Sequence, residues 1–155
     1  IFPLLAKYFE QIAMAKVSAS ALQAKQMDYL KGDDIIIANP HELLYVAKQQ
    51  AIAMLESGFK APQDTTFKVV GRAGYANAMA QVANLYGGGF ISEHDKLCVT
   101  EVAKVMTGSE VEENTIVNSE MMLDLERGAF LKLLGTEKTQ DRIEFMLRNN
   151  KPLRN

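Results

Sequence analysis

The chain has no tryptophan, one cysteine, two histidines and four prolines in 155 residues. Each scarcity excludes something. The lone Cys98 cannot close an internal disulfide, which fits a reducing, cytoplasmic setting rather than a stapled secreted fold. The two histidines, His41 and His94, are too few for a zinc site. His94 and Cys98 stand four apart and can share a helix face, but two ligands do not fix a metal, and a capping-region histidine plus a core thiol account for both. No apolar run approaches the ~20 residues a spanning helix needs. No charged-then-apolar leader opens the chain. The net charge is −2, so no bulk attraction pulls the protein toward nucleic acid.

The catalytic motifs are missing too. There is no G-x-G-x-x-G after a strand and no G-x-x-x-x-G-K-[ST]. "SAS" at Ser18–Ser20 lacks the strand–turn–helix setting of a nucleophile elbow. Glu112 and Glu113 lie on a solvated loop where nothing would raise a carboxyl pKa. "LYGGGFISEHD", Leu85 to Asp95, offers three adjacent N–H groups that could cradle a phosphate. Phe90 and Ile91 intervene before the next helix, however, and Ser92 with Asp95 already serve its free N–H groups, so the stretch reads as a helix stop and flexible joint.

What is present is helical periodicity. Leu5, Phe9, Ile12 and Ala13 mark a first helix from Leu4 to about Ala15. Ser20 and Gln23 form a capping box before a short helix that ends near Met27. "IIIA", Ile35–Ala38, is the one β-like run and reads as a buried extended connection. Asn39 as N-cap and Pro40 at the first helical position open a helix with the stripe Leu43, Leu44, Ala47, Ala51, Met54 and Leu55, stopped at Gly58. A connector follows. An alanine-rich helix from Arg72 to Tyr86 shows the small face Ala76, Met79, Ala80 and Ala83. Ser92 caps the next helix, whose stripe is Cys98, Val102, Val105 and Met106 and whose stop is Gly108. Residues 109–126 hold six acidic and no basic residues, and residues 127–155 hold seven basic and three acidic. A helix from about Ser119 to Leu134 spans that change in the sense its dipole favours. Gly135 ends it, and Thr136 caps a last helix presenting Ile143, Met146 and Leu147. The class is all-α: about six helices in a single domain, 1–155.

The chain opens "IFPLLAKYFEQIAMAK", helical within a few residues and without an initiator Met, as expected of a piece cut from a longer protein. Two stretches show from which kind. "AKVSASALQAKQMDYL", Ala15 to Leu30, resembles the segment after the catalytic core of crotonase-type enoyl-CoA hydratases and isomerases. Ala21 and Ala24 fit the family's two alanines. Asp28 stands where the family has glycine, and aspartate tolerates the left-handed turn better than most residues. From Glu126 onward the chain is similar to the crotonase tail, E-R-x-x-F, then T-E-D, then a last helix ending near K-P; Glu126, Arg127, Phe130, Thr136, Glu137, Lys151 and Pro152 fall on that pattern. With "NPHELLYVAKQQAIAMLESGFKAP", the likeness is to β-oxidation proteins in which 3-hydroxyacyl-CoA dehydrogenase domains precede an enoyl-CoA hydratase domain.

The resemblance implies that residues 1–60 end a hydratase-like region, 61–71 connect, and 72–155 form the helical C-terminal region of a crotonase-fold enzyme. Crotonase chemistry uses two backbone N–H groups on the thioester oxyanion and glutamates that add or remove water. Both lie in an α/β core outside this chain, so no catalytic residue carries over. The parent would use NAD and coenzyme A thioesters, while this segment would hold no cofactor or metal. It would pack on the missing N-terminal catalytic core, help close the acyl-CoA site and make homo-oligomer contacts. The family's last helix brings a Phe and a Lys to the adenine of coenzyme A; the matching positions here are Met146 and Asn149, which differ. Arg148 and Lys151 are the cations left to meet coenzyme A phosphates. Two competitors stand beside this reading: a free-standing helical module that binds a partner helix, and the helical C-terminal domain of the dehydrogenase half.

Overall fold

The computed structural model describes residues 2–61, 63 and 65–155; Ile1 and, within the expected connector, Pro62 and Asp64 lie outside the described residues. The chain is all-α, 63% helical, with seven helices among the described residues. By internal contacts it divides into two compact units, Lys16–Gln63 and the pair of stretches Ile1–Ala15 and Asp64–Asn155. The first helix therefore belongs with the C-terminal stretch and not with residues 16–60 that follow it in sequence.

The larger unit holds α1 (Phe2–Ala13), α4 (Gly71–Gly87), α5 (Glu93–Thr107), α6 (Ser119–Leu134) and α7 (Glu137–Asn149). Helix α5 is its axis, touching α4, α6 and α1, while α7 packs on α6. Phe9, Ala78, Val82, Val99 and Ala103 form the core. Phe9 is 2% exposed, and removing a side chain of that size from water is worth about 2–3 kcal/mol.

The expected helix faces need two corrections. Along α4 the buried residues are Gly71, Gly74, Ala78 and Val82, whereas Ala76, Ala80 and Ala83 are exposed and Met79 is half-buried. An alanine-rich helix has little amphipathic contrast, so the one β-branched residue, Val82, selects the face. On α5 the expected Cys98, Val102, Val105 and Met106 are only half-buried, whereas Val99, Ala103 and Thr107 are buried. A helix packed on several sides has no single stripe.

A two-residue antiparallel pair ties the connector to the loop before α6: β1 (Phe67–Lys68) against β2 (Ile116–Val117), with Phe67 opposite Val117. The same loop caps α4. Val70 gives no side-chain cap; instead the amide of Arg72 donates to the Val111 carbonyl (3.0 Å) and its Nε to the Glu110 carbonyl (2.8 Å). Such close approach needs a bare backbone at Gly71, where φ is +52° and an added Cβ would lie 2.2 Å from the Val111 oxygen.

The three glycines Gly87–Gly89 end α4 through main-chain hydrogen bonds. Gly89 takes φ +72°, its amide donates to the Tyr86 carbonyl (3.0 Å), and the Phe90 amide donates to the Leu85 carbonyl (2.9 Å). This is a Schellman ending, and it consumes the N–H groups a phosphate would need. Downstream the Ser92–Asp95 capping box is complete, and Gly108 ends α5 at φ +81°.

The smaller unit holds α2 (Ala21–Gln26), a 3-10 turn (Pro40–Glu42) and α3 (Leu43–Glu56). The Ser20 hydroxyl accepts from the Gln23 amide (3.1 Å), but the Gln23 side chain reaches back to the amide of Ala19 rather than that of Ser20. Asp28 takes the left-handed turn at φ +60°. Asn39 caps the 3-10 turn by accepting from the His41 amide (3.1 Å). The Ile35–Ala38 run is without regular structure as expected, but Ile35 and Ile36 are exposed, so it is not the buried connection its composition suggests. Helix α3 buries none of its residues; Leu44 is 82% and Leu55 80% exposed. Its apolar stripe forms as a surface.

Two glycine substitutions separate strain from space. Gly89→Ala meets open surroundings and should cost about 1–2 kcal/mol for the left-handed backbone alone. Gly71→Ala adds collision with a main-chain oxygen and should cost at least about twice as much. Urea unfolding of both variants checks the order, and equal costs would refute this account of the Gly71 approach.

Candidate functional site

The polar groups of the larger unit converge where the start of α5 meets α7 and the closing residues. Asp95 has two partners. One carboxylate oxygen accepts from the Ser92 amide (3.0 Å) and so caps α5, while the other accepts from Arg142 Nη1 on α7 (2.8 Å). The rest of the guanidinium holds Asn155: Nε donates to its Oδ1 (2.8 Å) and Nη2 to its main-chain oxygen (3.2 Å). The Ser92 hydroxyl donates to that same main-chain oxygen (3.1 Å), and Asn155 Nδ2 donates to the Lys138 carbonyl (3.2 Å). Burial pushes the Asp95 carboxyl up, but the Ser92 amide, the Arg142 hydrogen bond and its charge outweigh it, leaving Asp95 below the usual carboxylate range.

Next to Asp95, His94 is buried, with Nε2 in a hydrogen bond to the Thr139 hydroxyl (2.9 Å). Burial, then the charges of Arg142 and Lys138, push its imidazole below its ordinary value against the opposing pull of Asp95. Cys98 faces a cavity of about 320 Å³ beside Phe9, Val99 and Met146. Burial pushes its thiol up, so it is not an activated nucleophile.

A second cluster lies further along α5. Glu101 is 5% exposed, and its carboxylate accepts from Lys104 (3.1 Å) and from Lys132 on α6. Burial raises its pKa, yet the two ammonium groups more than offset that and hold it low. Glu101 borders a groove of about 610 Å³ walled by apolar residues of α5 and α6, among them Val102, Val105, Met106 and Phe130. Sequence reasoning missed both clusters because the partners that reach α5 from elsewhere are 31 to 63 positions away. A signal existed: Glu101 falls inside the Cys98–Val102–Val105 stripe, and Arg142 falls at helical spacing with Phe145 and Met146. A charge on an apolar face calls for a buried partner.

Arg148 and Lys151 are not drawn into either cluster. Arg148 pairs with Glu144 one turn earlier on α7, both side chains well exposed, and Lys151 is an exposed residue just beyond the helix. Met146 lines the Cys98 cavity, whereas Asn149 turns its amide back to the Phe145 carbonyl (3.0 Å). Among the described residues no three of His, Cys, Asp and Glu converge as a metal site would require, and no helix is long and apolar enough to cross a membrane. Thr136 opens α7 without a side-chain cap; its hydroxyl donates to the Leu133 carbonyl (2.6 Å) instead.

Comparison with known proteins decides how far these features can be placed. A probable 3-hydroxyacyl-CoA dehydrogenase of Bacillus subtilis (strain 168) is 44% identical to this chain over 149 residues. The chain is similar to a segment of that protein. The matched residues are 96% of this chain and 19% of the relative, so the chain spans about a fifth of the protein it matches. The match names a dehydrogenase and says nothing of a hydratase. No family model matches the chain, and no solved structure matches it.

The ionisable groups fix the pH response. A native imidazole held below its ordinary value binds fewer protons than the unfolded chain, so its contribution is intact above about pH 6.5 and is lost as pH falls through the native value. Asp95 and Glu101, also depressed, add further losses below about pH 4. The unfolding free energy should therefore fall from about pH 7.5 to about 5.5, and His94→Gln should flatten that slope. An unchanged slope in this variant would show that His94 is not the group responsible.

Proposed function

We propose that the chain is a non-catalytic helical segment of a larger 3-hydroxyacyl-CoA dehydrogenase-type protein of fatty-acid β-oxidation, and that it works by packing against the rest of that protein. The observation that carries this is the 44% identity across 96% of the chain to only 19% of a dehydrogenase. Two features support it. Among the described residues no three His, Cys, Asp or Glu side chains group as a metal site would, and no buried side-chain nitrogen or oxygen lacks a hydrogen-bond partner. The exposed apolar side chains of α3, with Leu44 and Leu55 most prominent, provide the kind of surface that packs against a further domain.

In this reading the parent oxidises 3-hydroxyacyl-CoA with NAD, and the likeness of residues 15–30 and 126–155 to crotonase tails adds an enoyl-CoA hydratase to the same protein. The segment then steadies the hydratase-like core and helps close the acyl-CoA site. Arg148 and Lys151 remain the cations nearest to a role toward coenzyme A phosphates, although Arg148 would first have to leave Glu144.

The test is complementation. The Bacillus subtilis relative, produced without its matching segment, is mixed with this chain, and association, dehydrogenase turnover and hydratase turnover are measured. The chain alone should turn over neither substrate, should bind the shortened relative, and should raise at least one of its activities. Leu44→Asp with Leu55→Asp should weaken that binding at least tenfold while leaving the helical content intact. Failure to bind would overturn the packing role and favour the free-standing interaction module.

A further inference from the structure

The closing residues behave as a ligand bound in place. After Asn150, in the left-handed conformation at φ +51°, the chain reverses along α7. Leu153 and Asn155 turn inward and are half-buried, while Pro152 and Arg154 are exposed. Pro152, Leu153 and Arg154 line the 320 Å³ cavity together with Phe9, Val99 and Cys98. Arg142 lines it too, and the two oxygens of Asn155 lie on Arg142 Nε (2.8 Å) and Nη2 (3.2 Å). That edge of a guanidinium is the one that receives both oxygens of a carboxylate in a bidentate pair. Asn155 thus stands where a carboxylate would. The Ser92 hydroxyl, donating to one of the same oxygens, completes a three-donor cradle. Asp95, fixed by the α5 cap, holds the opposite edge of Arg142 and keeps the guanidinium oriented.

We propose that residues 150–155 are a releasable strap over a binding site for a small carboxylate with an apolar tail. When Asn155 leaves Arg142, Arg142 and Ser92 take the carboxylate, and the cavity, still walled by Pro152 and Leu153, takes the tail. The cavity lies at the small end of the roughly 300–1,000 Å³ seen for ligand pockets, which suits a medium-length aliphatic tail. Because the strap occupies the site in the resting protein, apparent affinity is reduced by the fraction of time the site is open. Loosening the strap without touching the cradle therefore tightens binding.

Decanoate titrated into the full chain by calorimetry reads this directly. Asn155→Ala removes the Oδ1 and Nδ2 contacts but none of the cradle donors, and should bind decanoate at least tenfold more tightly than the unaltered chain. Adding Arg142→Lys, which keeps the charge but loses the bidentate edge, should reverse that gain. Decanol should show no preference for the Asn155→Ala variant. Cys98, the sole cysteine, should react with a maleimide faster in Asn155→Ala than in the unaltered chain, at a rate that does not follow urea-induced global unfolding. Decanoate binding unaffected by Asn155→Ala, or a gain that survives the added Arg142→Lys substitution, would overturn the proposal. Equal gains for decanol and decanoate would also overturn it, reducing the site to an apolar sink.

Discussion

A helix packed on several sides must satisfy every polar group it carries from within the protein, and α5 is built under that constraint. Only Glu93, in its first turn, is exposed. Asp95 is met by Ser92 and Arg142, His94 by Thr139, and Glu101 by Lys104 and Lys132. Buried Thr107 turns its hydroxyl to the Ala103 carbonyl (2.8 Å). An unpaired buried carboxylate would cost several kcal/mol, so these partners fix where α6 and α7 can sit. Lys132 ties α6 to one side of α5 and Arg142 ties α7 to another. Apolar burial supplies most of the stability, whereas the ion pairs choose the arrangement.

Helix ends are far more legible in the sequence than helix faces. Ser92 with Asp95, Asn39 with Pro40, Gly108, and the span Ser119–Leu134 all follow from local chemistry, because a cap is made by residues within one turn of it. Faces depend on what arrives from elsewhere. The alanines of α4 give no contrast by which to choose a side, and the stripe of α3 is present as its period predicts but stays unburied. The Arg142 cluster is hidden for a related reason. Asp95 can be read as a cap, but not as a residue with a second oxygen left to hold a guanidinium 47 positions away.

The chain matches 19% of a probable dehydrogenase, and the buried polar side chains of α5 pair with residues of its own helix, α6 and α7. The "GGG" stretch shows the same economy: its N–H groups satisfy the carbonyls of α4 and leave nothing for an anion. The groups that could meet a small ligand cluster instead around Arg142, where Asn155 of the same chain satisfies them.

The placing of α1 has a kinetic consequence. Phe9 meets Val82 and Val99 in the core although more than seventy positions separate them, and the whole smaller unit is threaded into that interval. Helices α4 to α7 follow one another and can collapse through short loops, whereas α1 must close a long loop before any of its contacts repay the lost chain entropy. Of the helices in the larger unit, α1 is thus the one expected to dock last. Until it docks, the central helix has one flank open to water.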